Sequence, residues 1–306
     1  MYDASDPRSR LAASAPSAAT PATEFAAAEY SKFYETPPQE TGAGGRTWYA
    51  RGQNYVVAYS EAKPGATFER SGQPDEYAII IPDAATKIEV STGAQVERID
   101  GYAIAFIPPG DSTIRTPTGG RIVRLFTSRS DDLTAKCSNA ASYTRPHPNI
   151  PPFEPWPAPP DGYRIRSYSL DVQQDGGRFG RIFRCTTFMI NYLDLRVGPR
   201  DVTKLSPHFH DDFEQCSLAL EGAYIHDIRW PWTTNMNNWR EDDHEYCGAP
   251  SIAVIPPPAI HTSRAVGKER NQLVDIFCPP RMDFSAKPGW VLNAGDYPMP
   301  DHATKP

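Results

Sequence analysis

The feature that most constrains this chain is how its apolar residues are parcelled out. They come in short runs, YVVAYS (55–60), YAIIIPD (77–83), KIEVS (87–91), YAIAFIPP (102–109) and RIVRLFT (121–127), separated by Pro, Gly and Asp. Runs of about 4–8 residues bounded by turn formers are the mark of antiparallel strands in a sandwich or barrel. The same rhythm resumes further on with YRIRSYSLDV, RIFRCTTFMINYLDL, EQCSLALEG, AYIHDIRW, PSIAVIPP and QLVDIFCPP. The content of 32 prolines, 15 tyrosines, 13 phenylalanines and 6 tryptophans fits frequent turns and strand-favouring aromatics. Only EFAAAEYSKFY (24–34) has a helix-length amphipathic pattern. The expected fold class is all-β.

With 306 residues the chain has room for one large or two medium domains. Residues 1–27 are mostly Ala, Ser, Pro and Thr, too poor in bulky apolar groups to offset ordering entropy, and read as a disordered tail. RPHPNIPPFEPWPAPP (145–160) reads as a linker, because prolines lack the amide donors a strand ladder needs. That division leaves an N-terminal domain at 28–144 and a C-terminal domain at 161–306. The halves resemble each other: AFIPPGDST (105–113) matches AVIPPPAIHT (253–262), and DEYAIIIPD (75–83) matches FEQCSLALE (213–221), in the same order. A duplicated β-domain is therefore expected. A net charge of −6 argues against a nucleic-acid or anionic-membrane surface. No segment approaches the ~20 apolar residues of a membrane-spanning helix. Five cysteines, an odd number, speak against a disulfide framework and suit a reducing cytoplasm.

Chemistry concentrates in PHFHDDFEQ, where His208, His210 and Glu214 form H-x-H-x3-E. Residues i and i+2 of a strand share a face, so both imidazoles can aim at one point, with a turn at 211–213 returning the carboxylate to them. His261, in IPPPAIH, supplies a fourth ligand if the strands close into a barrel. Three imidazoles and a carboxylate suit one divalent transition metal with positions left open; Fe(II) is favoured, and Mn, Ni or Zn fit the same donors.

On these residues the chain resembles the cupins, and specifically a bicupin, whose two motifs are H-x-H-x(3,4)-E-x6-G and P-x-G-x2-H. The resemblance implies two double-stranded β-helix (jelly-roll) domains, with His208, His210, Glu214 and His261 as ligands, and commonly a homodimer. Departures are the seven residues between Glu214 and Gly222, Pro258 in the second motif's glycine position, and Val202 where the first motif opens with glycine. In the first half the ligand positions align with Arg70, Gly72, Glu76 and Thr113, so a barrel without a metal is expected there.

Further candidates are His226 as acid or base, and Tyr224, Arg184 and Arg264 as substrate contacts, the arginines through a bidentate fork on a carboxylate. Trp230 and Trp232 are candidates for the pocket mouth, and Cys216 for the metal chamber. His147, His244 and His302 show no evident partners. Phosphate-loop, dinucleotide and serine-hydrolase motifs are absent from the sequence. The leading expectation is Fe(II)-dependent dioxygenation of an aromatic or enolisable small molecule, with O2 as co-substrate. The alternatives are Mn- or Zn-dependent isomerisation, decarboxylation or hydrolysis at the same site, and a non-catalytic small-molecule-binding protein.

Overall fold

A computed structural model describes residues 25–301 apart from 94 and 174, so most of the expected tail, and His302, lie outside the described residues. The described chain is all-β, with two barrels each made of two facing antiparallel sheets. In the first barrel a seven-stranded sheet runs in the order Arg166–Ser169, Ala103–Ile107, Tyr77–Ile81, Gly120–Thr127, Tyr55–Ala62, Gly45–Arg51, Glu40–Gly42. It faces a four-stranded sheet ordered Ala66–Gln73, Gly110–Thr116, Lys87–Thr92, Val96–Asp100. The second barrel's large sheet runs Glu29–Lys32, Ser251–Ile255, Gln215–Glu221, Arg270–Phe277, Met189–Tyr192, Arg181–Arg184, with Arg196–Val197 also paired to Arg270–Phe277. Its smaller sheet is Asp243–Gly248, Ala223–Arg229, Ile260–Ala265.

Six strands of the two large sheets match in order, and the first strand of each is exchanged. Glu29–Lys32, from the start of the chain, pairs with Ser251–Ile255 in the second barrel, while Arg166–Ser169, from beyond the proline-rich segment, pairs with Ala103–Ile107 in the first. The helix-like stretch at 24–34 is thus partly strand: its apolar residues meet a sheet edge, and pairing with that edge outweighs local propensity.

Continuous apolar runs are explained by burial on both faces. From Tyr77–Ile81, Ala78 and Ile80 enter a core between the barrels, while Tyr77, Ile79 and Ile81 fill the first barrel's own interior. The matching strand Gln215–Glu221 sends Cys216, Leu218 and Leu220 into the shared core. Its opposite face, Gln215 and Ser217, is buried but polar. Each large aliphatic or aromatic side chain buried in the shared core contributes about 1.5–3 kcal/mol, so the barrels are joined by a cohesive interface. The first barrel is filled by aliphatic and aromatic side chains together with Arg124, Ser112 and Thr116, and the second keeps a buried cluster of His208, His210, His261, Gln215 and Ser217.

Candidate metal centre

Within the second barrel, His208, His210 and His261 offer ring nitrogens that all lie within 4.8 Å of one another. His208 and His261 are held by a short antiparallel bridge, His208 N–H donating to His261 O at 3.0 Å and His261 N–H to His208 O at 2.7 Å. His210, two residues on, is brought to the same point and packs on the Phe213 ring, with centroids 4.3 Å apart. Nδ1 of His208 lies 2.9 Å from Ser206 O, and Nδ1 of His261 lies 3.0 Å from Ala259 O. A carbonyl oxygen only accepts, so both rings carry a proton on Nδ1, which leaves Nε2 as the atom each would offer to a metal. Burial, then the Arg281 cation and the neighbouring rings, hold His210 neutral well below the usual imidazole range.

Glu214 does not join them. Along a strand alternate residues change face, and Glu214 shares the parity of Cys216 and Leu218, which point between the barrels. Its carboxylate accepts from Gln53 N–H at 2.6 Å and lies 3.4 Å from the Tyr143 hydroxyl. Burial raises its pKa to about 7, against the lowering effect of those donors. The group that faces the histidines is Gln215, whose Oε1 lies 3.1 Å from His210 Nε2 and 3.4 Å from His261 Nε2. Its amide has a defined polarity. Nε2 donates to Asp275 Oδ1 at 3.2 Å and to Ser217 Oγ at 3.0 Å, and the Ser217 hydroxyl donates to the same Asp275 oxygen at 2.8 Å. The carboxylate can only accept, so the amide nitrogen faces Asp275 and the amide oxygen faces the imidazoles. The arrangement therefore reads H-x-H-x4-Q with a distant His. Three imidazoles and one amide oxygen, all neutral, fit a divalent first-row ion, and their outward-facing atoms are anchored as a metal site requires. The signal was in the sequence: Cys216, Leu218 and Leu220 mark the apolar face, which leaves Gln215 and Ser217 on the other.

Glu214 has a counterpart. In the first barrel Glu76 accepts from Thr186 N–H at 2.9 Å, the Thr186 hydroxyl at 2.8 Å and the Tyr297 hydroxyl at 2.7 Å. Each half thus sends a carboxylate to cap a hairpin turn of the other half. At the turn that receives Glu214, Gly52 leaves the necessary room: a Cβ there would stand 2.7 Å from Glu214 Oε2.

The first barrel fills the corresponding positions differently. Arg70 pairs with Ser112 where His208 pairs with His261, so Ser112, rather than Thr113, occupies the histidine's place. Tyr77 stands at the Gln215 position, with its hydroxyl 2.9 Å from Ser112 Oγ. Opposite Ile79 is Arg124, where Ser217 faces Asp275, and the Arg124 guanidinium lies 4.1 Å over the Phe68 ring. Among the described residues, His208, His210 and His261 form the one group of three potential ligands.

A cavity of about 480 Å³ opens from the cluster. Its wall includes His208, His261, Gln215, Asp275, Tyr224 and Ser263. Tyr224 is where a substrate contact was expected, and burial pushes its phenol up so that it stays protonated and able to donate. The other expectations fall elsewhere. His226 is buried beneath the wall with Nδ1 2.8 Å from Ser263 Oγ, and its Nε2 has no hydrogen-bond partner among the described residues. Burial lowers its pKa to about 4. Arg184 sits against Trp156 and donates to Tyr297 O at 2.6 Å, away from the cavity wall, and Arg264 is engaged by Asp227 at 2.7 Å. Neither lines the cavity, and each is held by partners elsewhere in the fold. Trp230 is buried, and exposed Trp232 stacks on Trp239 with centroids 4.6 Å apart; neither lines the cavity. Cys216 faces the inter-barrel core, and all five cysteines are buried free thiols. His244 lies 2.6 Å from Asp227.

Paired antiparallel sheets in two linked barrels, with a histidine cluster inside one, define a cupin architecture. Solved structures agree. The chain is similar to a variant of oxalate decarboxylase from Bacillus subtilis (13% identity, 88% of this chain and 83% of that chain covered, TM-score 0.57). It is also similar to the oxalate decarboxylase–formate complex from Lactobacillus farciminis (12% identity, 86% and 88% covered, TM-score 0.55). A third likeness is to AerE from Microcystis aeruginosa (11% identity, 85% and 100% covered, TM-score 0.52). Another structure of the Bacillus enzyme concerns its Mn(II) centres. At these identities the likeness establishes the fold. No family model matches the sequence, and no curated protein matches it. No helix among the described residues is long and apolar enough to cross a membrane.

Proposed function

We propose that the chain is a metal-dependent enzyme that activates a small organic molecule on a divalent ion held by His208, His210, His261 and Gln215, with non-oxidative carbon–carbon cleavage, such as decarboxylation, as the reaction class. The observation that carries this reading is the convergence of three imidazoles and an amide oxygen, of which His208, His261 and Gln215 line an open cavity. A bound ion would supply Lewis-acid polarisation of a substrate oxygen, undiminished because no ligand carries negative charge. The chain's residues do the rest. Carbonyls of Ser206 and Ala259 fix two imidazoles, Asp275 and Ser217 fix the amide, and Tyr224 offers a protonated hydroxyl to the substrate. Phe179, Leu193 and Leu273 give the wall an apolar side that limits water. Mn(II) gains weight from the metal named for the Bacillus oxalate decarboxylase.

A second reading, Fe(II)-dependent dioxygenation, is favoured by the same three imidazoles, which suit Fe(II) and leave positions for substrate and O2. In both readings the first barrel, whose interior is filled, serves as a structural partner. Elemental analysis of protein purified without chelator, followed by aerobic and anaerobic assays on oxo acids, dicarboxylates, diketones and catechols, tests the choice. CO2 release with no O2 uptake supports the first reading, and stoichiometric O2 uptake with Fe supports the second. Failure to retain any divalent metal after reconstitution defeats both.

A further inference from the structure

The cavity carries on its wall a charge that the chemistry beside the histidines does not require. Four cationic side chains, Arg178, Arg196, Arg200 and Lys204, line it, with Asp194 and Asp201 as the acidic residues of the rim. This is a local cationic excess on a chain whose net charge is −6. Of the two rim carboxylates, one is paired with a cation outside the cavity wall and the other is fixed but keeps its charge. Asp194 is paired with Arg181 at 3.4 Å, and Asp201 accepts from the Thr203 N–H at 2.9 Å and hydroxyl at 2.7 Å. Arg178 is fixed by backbone carbonyls, donating to Gly180 O at 2.7 Å and Gln173 O at 3.1 Å, so its charge is placed without being neutralised. Arg200 is likewise braced, donating to Ser206 Oγ at 3.0 Å and Lys204 O at 3.1 Å. Arg196 and Lys204 are exposed and have no ion-pair partner among the described residues.

Size adds a second constraint. A cavity of about 480 Å³ lies within the range of ~300–1,000 Å³ that accommodates ligands well beyond a two-carbon diacid. Its wall combines buried His208, Gln215 and His261 with apolar Phe179, Leu193 and Leu273 and with exposed Arg196 and Lys204.

We infer that the substrate is an organic acid with two separated ends: an oxygen-bearing head that reaches the histidine cluster, an apolar middle, and a carboxylate tail held at the rim by Arg196 and Lys204. The inference rests on the proposed function for the role of the head, whereas the tail's recognition depends on the rim alone. Arg196 and Lys204 are then specificity-determining residues, discriminating by charge at a distance from the reacting atoms. Their long, exposed side chains adapt to tails of somewhat different length, and their attraction weakens with salt.

The test uses two probes with one head, 3-(3,4-dihydroxyphenyl)propanoate and its methyl ester, titrated calorimetrically into the full chain with and without reconstituted metal. The acid should bind about tenfold tighter than the ester at low ionic strength, as expected for two partly screened charge pairs. That preference should persist without metal, shrink towards unity in 0.5 M salt, and vanish in Arg196→Gln/Lys204→Gln, whose exposed positions leave folding intact. Equal affinities for acid and ester, no binding of either at millimolar concentration, or an unchanged preference in the double variant would overturn the inference. An acid preference in protein that cannot be loaded with metal would uphold the rim and sink the metal reading.

Discussion

His226 provides a direct energetic test of the second barrel's interior. The ring is fully buried, has one partner in Ser263 Oγ, and is held neutral with its pKa lowered from 6.5 to about 4, first by burial and then by the neighbouring His261 ring. A proton that binds the unfolded chain near pH 6.5 but the folded chain only near 4 destabilises the fold as pH falls. The stabilisation from neutral His226 is therefore complete above 6.5 and is lost on descending towards 4. A shift of about 2.5 units corresponds to roughly 3.4 kcal/mol in full, of which about 2.6 kcal/mol is lost by pH 4.5. Replacing the ring by leucine removes the titration while keeping an apolar filler. The fixed cost of losing the Ser263 bond, about 1 kcal/mol, is the same at every pH. Urea unfolding of the metal-free wild type and His226→Leu should thus give stability curves that converge or cross between pH 7.5 and 4.5, moving about 2.6 kcal/mol in the variant's favour. Parallel curves would refute the claim that this histidine is kept neutral by its surroundings. A loss of activity in the variant without that change in slope would instead give the ring a role in the reaction.

Ligand identity separates two adjacent residues. Gln215→Ala should weaken metal binding by at least about tenfold in competition with a chelator, while Glu214→Gln should leave metal content unchanged and cost about 1–3 kcal/mol in thermal or urea unfolding through its hairpin partners. Asp275→Asn removes the negative charge of the acceptor that holds the Gln215 amide and should lower metal affinity by about 10–100-fold, with an altered Mn(II) paramagnetic resonance spectrum as the structural readout. Gly52→Ala should destabilise the chain, because the added carbon meets both the Tyr55 ring and Glu214. Phe106→Ala, in the core between the barrels, should cost about 3–5 kcal/mol and be seen as a lowered unfolding midpoint.

Much of this was legible in the residues. Runs such as YAIIIPD announced strands, and the matches of 75–83 with 213–221 and 105–113 with 253–262 fall on strands that occupy the same places in the two large sheets. His208, His210 and His261, singled out by H-x-H and a distant proline-led strand, lie beside one another in the second barrel. The family-like spacing drew attention to Glu214, whereas strand parity turns Gln215 towards the histidines and Glu214 towards Gln53. The exchange of outer strands had no local signature: Glu29 meets Val254 and Arg166 meets Phe106, and which edge each strand finds is a property of the assembled sheets. Arg184 and Arg264 show the same limit, since a guanidinium's partner depends on contacts made across the fold.

The exchanged strands and crossed carboxylates also govern how this chain can be divided. Severing it within residues 145–160 would give fragments that each carry the other's edge strand: the first would keep Glu29–Lys32, which belongs on Ser251–Ile255, and the second would keep Arg166–Ser169, which belongs on Ala103–Ile107. Each fragment would expose an unpaired sheet edge and a greasy flank, the conditions under which strands recruit foreign partners. Mixed together, the two pieces carry complementary edges. Co-expression as a split protein should therefore succeed where either piece alone precipitates, making this fold a natural candidate for fragment complementation.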